Sequence, residues 1–179
     1  MQTASSPLAC RSVLILGGAR SGKSRYALDL VEKAAPSRLF VATASPGDAE
    51  MAERIKRHQA ERGEGWTTLE VERDLAAALG EARDGRAVLV DCLTLWLANV
   101  LQAGRDVEAE TDALLAVLPR LEAPAVLVAN EVGLGIVPEN ALARAFRDHA
   151  GRLNQRVAAA AQRVVFVAAG LPLTLKAES

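Results

Sequence analysis

Aromatic side chains are scarce: one tyrosine, two tryptophans and three phenylalanines make up 3% of the 179 residues. Half of the chain is nevertheless apolar, so its core must be built mostly from valine, leucine and alanine. Cysteine is scarcer still. Cys10 and Cys92 lie far apart and show no metal-binding spacing. A chain of this size needs no disulfide framework, so a reducing, cytoplasmic setting is expected. No sign of charge is in excess. The formal net charge is −1 and no basic stretch stands out, which leaves nucleic acid without an electrostatic handle. No run approaches the roughly 20 consecutive apolar residues that span a bilayer, so no integral membrane segment is expected. Residues 1–11 (MQTASSPLACR) lack the apolar stretch of a secretory signal. They read as a flexible tail ahead of a single domain over 12–179.

What the chain does have is a recurring pattern. Five short apolar runs, SVLILGG (12–18), RLFVATA (38–44), AVLVDC (87–92), AVLVANEVG (125–133) and VVFVAAG (164–170), each end in small or polar residues. Continuous rather than alternating apolarity marks strands covered on both faces, as in a parallel sheet. Helical periodicity fills the gaps at about 22–34, 48–62, 73–84, 93–103, 107–118 and 139–161. Strands alternating with helices predict an α/β fold of right-handed crossover units. Gly17, Thr43, Asp91 and Asn130–Glu131 fall at the carboxyl ends of the strands, where an open α/β sheet binds its ligands.

The first run leads into Gly17-Gly18-Ala19-Arg20-Ser21-Gly22-Lys23-Ser24, a full match to the phosphate-loop pattern G-x-x-x-x-G-K-[ST]. Glycines let backbone N–H groups wrap around phosphate oxygens. Lys23 supplies a compact positive charge for the β- and γ-phosphates, and the Ser24 hydroxyl is an expected Mg²⁺ ligand. The following helix adds its positive N-terminus. Asp91, ending a strand, has two readings: a carboxylate that holds Mg²⁺, or the cap of a helix starting near Leu93. Glu131 competes for the metal role and is also a candidate base for an acceptor hydroxyl.

Two histidines are present. His58 shares a helix face with Met51 and Ile55, which suits packing. Yet Arg54, Arg57 and Arg62 flank it, a setting that suits phosphate. A neutral imidazole, with a pKa near ~6.5, is a competent nucleophile for an α-phosphate. His149 falls on a face with Leu142, Phe146 and Leu153, and packing is expected there.

GGARSGKS, the strand ending VATA, EMAERIKRHQAERGEGWTTLE (50–70), VDCLTLWLANVL (90–101) and NEVGLGIVPENALARAFRDHAGRLNQRVA (130–158) together resemble one family. It is the bifunctional adenosylcobinamide kinase/adenosylcobinamide-phosphate guanylyltransferase family of cobalamin biosynthesis. The resemblance runs from residue 12 to about 176. It implies a P-loop NTPase fold, a RecA-like, mostly parallel sheet flanked by helices, and a homotrimer. It implies GTP and ATP as substrates with Mg²⁺, and adenosylcobinamide and its phosphate as acceptors. It also implies a guanylylated histidine, matched here by His58, with release of pyrophosphate. By the same resemblance Gly17 to Ser24 hold the triphosphate, while Ala42, Thr43, Ala44, Arg62, Glu70 and Asp91 contact the nucleotide. Two other readings remain open on the residues alone: a P-loop kinase for another small metabolite with a structural His58, and a non-enzymatic nucleotide-dependent switch. The sequence also suggests that GDAE (47–50) and GEG (63–65) are hinges for the helix between them.

Overall fold

The computed structural model describes residues 11–44, 62–81 and 85–177. Seven strands form one sheet: β1 (Ser12–Gly17), β2 (Arg38–Ala42), β3 (Trp66–Glu70), β4 (Ala87–Asp91), β5 (Ala125–Asn130), β6 (Arg163–Ala168) and β7 (Leu171–Lys176). Their order is β3-β2-β4-β5-β1-β6-β7. Every pairing is parallel except the antiparallel β6–β7 hairpin. The helices are α1 (Lys23–Ala34), α2 (Leu75–Glu81), α3 (Leu93–Gln102), α4 (Val107–Val117) and α5 (Ala141–Ala160).

The apolar runs divide their side chains between two cores by the period of two that a strand imposes. Leu14, Leu16, Val88, Val90 and Leu127 face one side, together with Trp96 and Leu97 of α3 and Leu153 of α5. Val13, Ile15, Leu89, Val126 and Val128 face the other, against Ala27, Leu28 and Val31 of α1. All five sequence-derived strands and the five helices within the described residues lie within a few residues of their expected positions. The helix expected over 48–62 falls outside the described residues, except for Arg62.

Two strands, β3 and β7, were not among the expected runs. Both are sheet edges and mostly or wholly exposed, so neither carries the continuous apolarity of a strand covered on both faces. Pro172 is compatible with β7 because an edge strand tolerates a missing N–H. The β6–β7 turn is carried by Ala169 and Gly170, both at positive φ (51° and 79°), as a two-residue hairpin that matches strand twist requires.

Arg38 fastens the chain that enters β3. Its Nε donates to Ala35 O (2.6 Å), Nη1 to Glu64 O (2.8 Å) and Nη2 to Glu32 O (3.1 Å). Beside it Trp66 Nε1 donates to Glu32 Oε1 at 3.1 Å. Gly65, at φ 85°, accepts the Arg38 backbone N–H at 2.9 Å, and a Cβ there would lie 2.5 Å from Pro36 O. The GEG segment is therefore held at its carboxyl side.

A lysine at position 38 keeps the charge but loses the planar fork. Arg38→Lys and Arg38→Ala should both lower stability by about 2 kcal/mol, read from the urea denaturation midpoint. A lysine variant as stable as wild type would contradict the fork.

Candidate functional site: a phosphate loop and its flanking strand ends

Gly17 is the last residue of β1, set between Asn130 of β5 and Val167 of β6. A Cβ at this position would lie 2.5 Å from both Ser21 Oγ and Val167 O, so only glycine lets the chain fold back there. The loop then turns through Arg20 (φ 56°) and Gly22 (φ 93°). Ser21 N–H donates to Gly18 O at 3.3 Å and Gly170 N–H to Ser21 O at 2.8 Å. That last bond docks the β6–β7 turn against the loop. Lys23 opens α1, is buried, and donates from Nζ to Gly18 O at 3.1 Å. The α1 N-cap is Gly22, with no side-chain cap and no acidic residue in the first turn. Its first N–H groups are thus met by no carboxylate of their own helix, the arrangement that suits an anion. The Ser21 hydroxyl is buried without a hydrogen-bond partner among the described residues.

Ala42, Glu70 and Asp91 lie in register at the ends of β2, β3 and β4. Asp91 is half-buried. It does not occupy the capping position of α3, which belongs to Cys92. Cys92 is buried, and burial followed by the Asp91 charge pushes its thiol up to about 12. The Lys23 ammonium and the backbone N–H groups of Leu95 and Thr94 pull in the opposite direction. Asp91 and the phosphate loop lie on the same carboxyl edge of the sheet, with β5 between β4 and β1. Arg62 lies against β2. Its guanidinium lies 3.9 Å from the Phe40 ring centroid. Burial lowers its pKa, and the negative charge of Asp91 opposes that shift. Its Nη1 is buried without a hydrogen-bond partner among the described residues.

Thr43 is wholly buried, not open to a ligand. Its hydroxyl accepts from Cys92 N–H and donates to Cys92 O, both at 2.8 Å, locking the backbone beside Asp91, where the Asp91–Cys92 peptide is cis. Asn99 Nδ2 in turn donates to Thr43 O (2.8 Å) and Glu72 O (3.1 Å). The β5 end is fixed in the same way: Asn130 N–H donates to Thr94 Oγ1 (2.7 Å), and Asn154 Nδ2 donates to Asn130 O (3.2 Å). Glu131 follows, its N–H on Gly17 O at 3.0 Å and its Oε1 accepting Gly133 N–H at 2.6 Å. Sequence reasoning missed Asn99, Thr94 and Asn154. Polar residues inside apolar helical stretches were the available signal.

The site thus brings together Gly17, Gly18, Ala19, Arg20, Ser21, Gly22, Lys23, Ser24, Asp91 and Arg62, with Ala42 and Ala44 on the β2 end. Glu70 stands apart. Three strands separate β3 from β1, about 19 Å at ordinary strand spacing. His58 lies outside the described residues. His149 is half-buried on α5, with Nδ1 unpartnered among the described residues. Leu142, expected on the same packed face, is 74% exposed. The buried residues of α5 are Ala150, Leu153, Asn154 and Val157, with Phe146 packed against the same core, so the exposed part is the first turn around Leu142.

Ser24 and Asp91 supply hard oxygen donors of the kind Mg²⁺ takes alongside waters and phosphates. Among the described residues no group of three or more His, Cys, Asp and Glu could hold a metal on its own. The donor set fits a magnesium shared with a bound nucleotide.

Thr43→Val should cost about 1–3 kcal/mol, because it leaves the buried Cys92 N–H and C=O unsatisfied, whereas Thr43→Ser should retain most of that stability. Equal urea midpoints for the two variants would contradict the lock.

Comparison with known proteins matches this architecture twice over. Among solved structures, the flagellar accessory protein FlaH from Methanocaldococcus jannaschii aligns with TM-score 0.54 at 13% identity, covering 94% of this chain and 79% of that one. A type III secretion system ATPase aligns with TM-score 0.56 at 11% identity, covering 92% of this chain and 56% of that one. These share the P-loop fold. In sequence, the bifunctional adenosylcobalamin biosynthesis protein CobP of Pseudomonas aeruginosa is 49% identical over 168 residues, 92% of this chain and 97% of that protein. CobU of Salmonella typhimurium, with the same description, is 42% identical over 180 residues, 92% of this chain and 99% of that protein. Residues 13–175 match the family model described as cobinamide kinase / cobinamide phosphate guanyltransferase. With a phosphate loop, a strand-end carboxylate and this match over nearly its whole length, the chain belongs to the cobinamide kinase / cobinamide phosphate guanyltransferase family of enzymes.

Proposed function

We propose that this chain phosphorylates the aminopropanol hydroxyl of adenosylcobinamide and then transfers GMP from GTP to the product, through a guanylylated His58. The observation that carries the reading is the phosphate loop closed on the end of β1, where a Cβ at Gly17 would meet Ser21 Oγ and Val167 O at 2.5 Å, in a member of this family.

In the kinase step the acceptor oxygen attacks the γ-phosphorus of ATP or GTP. The bond to the β-phosphate bridging oxygen breaks, and the nucleoside diphosphate leaves. Backbone N–H groups of 18–23 and the Lys23 ammonium hold the β- and γ-phosphates in line, and positioning with charge stabilisation does most of the work. Magnesium held by Ser24 and Asp91 would neutralise charge on the phosphate oxygens. Glu131, hydrogen-bonded through its backbone to Gly17, would take the hydroxyl proton.

In the transferase step a ring nitrogen of His58 attacks the α-phosphorus of GTP. A P–N bond forms, the α–β bridging bond breaks, and pyrophosphate leaves. A phosphate oxygen of adenosylcobinamide phosphate then attacks the same phosphorus and frees His58. Arg62, four residues on and within the field of Asp91, would contact the phosphates. Glu70, far from the phosphate loop, would meet the end of the nucleotide away from its γ-phosphate. The family resemblance further suggests a cytoplasmic homotrimer.

The purified protein should take up covalent label from α-labelled but not γ-labelled GTP in the presence of Mg²⁺. The adduct should be acid-labile and alkali-stable, and His58→Ala should abolish it. Wild-type protein that binds GTP but takes no α-label would replace this reading with a plain kinase in which His58 only packs.

A further inference from the structure

The segment between β5 and α5 is singled out by its sequence, EVGLGIVPEN (131–140), yet the reactions above use only its first residue. Its apolar side chains are turned outward. Leu134 is 82% exposed, Ile136 96% and Val137 59%, and Leu142 in the first turn of α5 adds 74%. Their backbone is not loose. Glu131 ties one end, accepting Gly133 N–H and donating its own N–H to Gly17 O. At the other end Asn140 Oδ1 caps α5 through the Leu142 N–H at 2.7 Å. Arg144 Nη1 donates to Pro138 O at 2.9 Å and Glu139 O at 2.5 Å. Polar groups hold the segment while its apolar groups face solvent. That is the reverse of a loop that folds onto its own core.

Its position is set by the sheet. Asn154 of α5 bonds Asn130 at the end of β5, and Leu142 stands about 18 Å earlier along the helix, beyond Phe146, Ala150 and Leu153, which still pack on the core. The apolar segment and Leu142 therefore stand on the edge that carries the phosphate loop, with Leu134 three residues from Glu131, whose N–H bonds Gly17 O.

We propose that Leu134, Ile136, Val137 and Leu142 form the platform on which the corrin ring of the acceptor rests, with its hydroxyl arm directed over Glu131 to the phosphate loop. This rests on the functional reading above. The acceptor is a broad ring with methyl and methylene groups around its periphery and a tethered hydroxyl, and transfer needs that hydroxyl in line with the γ-phosphate. Its ring must therefore lie within an arm's length of the loop, on an apolar surface. Among the described residues a second exposed apolar row, Leu171, Leu173 and Leu175, lies on β7, an edge strand of the sheet. Its unpaired backbone groups suit pairing with another chain instead.

The test is the Leu134→Ser/Ile136→Ser double variant, with Ile136→Val beside it. Three quantities are measured: the KM for adenosylcobinamide in nucleotide-dependent phosphorylation, the Kd for MgGTP, and the mass by sedimentation velocity. At 82% and 96% exposure the substitutions leave the core untouched. The platform predicts a rise in KM of at least about tenfold for the double variant, with Ile136→Val near wild type and MgGTP affinity and mass unaltered. An unchanged KM overturns the proposal. A fall in mass also overturns it, assigning the patch to a contact between copies. Wild-type protein that does not phosphorylate adenosylcobinamide overturns the functional reading itself, and the platform with it.

Discussion

The contact on which the site depends is the one at Gly17, where the chain leaves β1 with no room for even a methyl group. Ser21 Oγ and Val167 O occupy the space a Cβ would need. The loop can therefore turn back directly over the strand end and put the first turn of α1 above it. β5 and β6 flank β1 on either side, and each contributes a bond that holds the loop: Glu131 N–H to Gly17 O, and Gly170 N–H to Ser21 O. The phosphate cradle is thus fixed by three strands of the sheet rather than by its own short sequence. A bulkier residue at 17 would disturb all of them together.

Around this cradle the polar residues work in pairs that fix backbone rather than reach outward. Thr43 locks Cys92, Asn99 locks Thr43, Thr94 holds Asn130, and Asn154 holds it from α5. Each is an interior group satisfied by main chain. Where the low dielectric makes an unmet partner costly, such pairs keep the carboxylates of Asp91 and Glu131 at defined points along the edge. The thiol of Cys92, held neutral far above its ordinary pKa, adds no charge to the site at cellular pH.

Much of this was legible from the residues because parallel strands buried on both faces write themselves as unbroken apolar runs. β1, β4 and β5 are the clearest cases. The same criterion was blind to WTTLE and LPLTLK, whose strands are edges and keep most or all of their residues in solvent. The phosphate loop was visible because its chemistry demands fixed glycine, lysine and serine positions. Thr43 shows the limit: its place at a strand end was right, but only the fold reveals that its hydroxyl is spent on Cys92. Leu142 shows another. Helical periodicity put it on a buried face, and the face is buried only where the helix overlaps the sheet. Asn99 and Asn154 look like surface residues until the carbonyls they serve are known.

Everything above turns on one loop, braced by β5 and β6, as the place where the triphosphate binds. A crystal structure of the protein with Mg²⁺ and a non-hydrolysable GTP analogue tests it most directly. The β- and γ-phosphates should lie against the N–H groups of 18–23, with Lys23 Nζ on their oxygens and the metal on the Ser24 hydroxyl with Asp91 facing it. A nucleotide bound elsewhere on the molecule, with the loop making no phosphate contact, would contradict it.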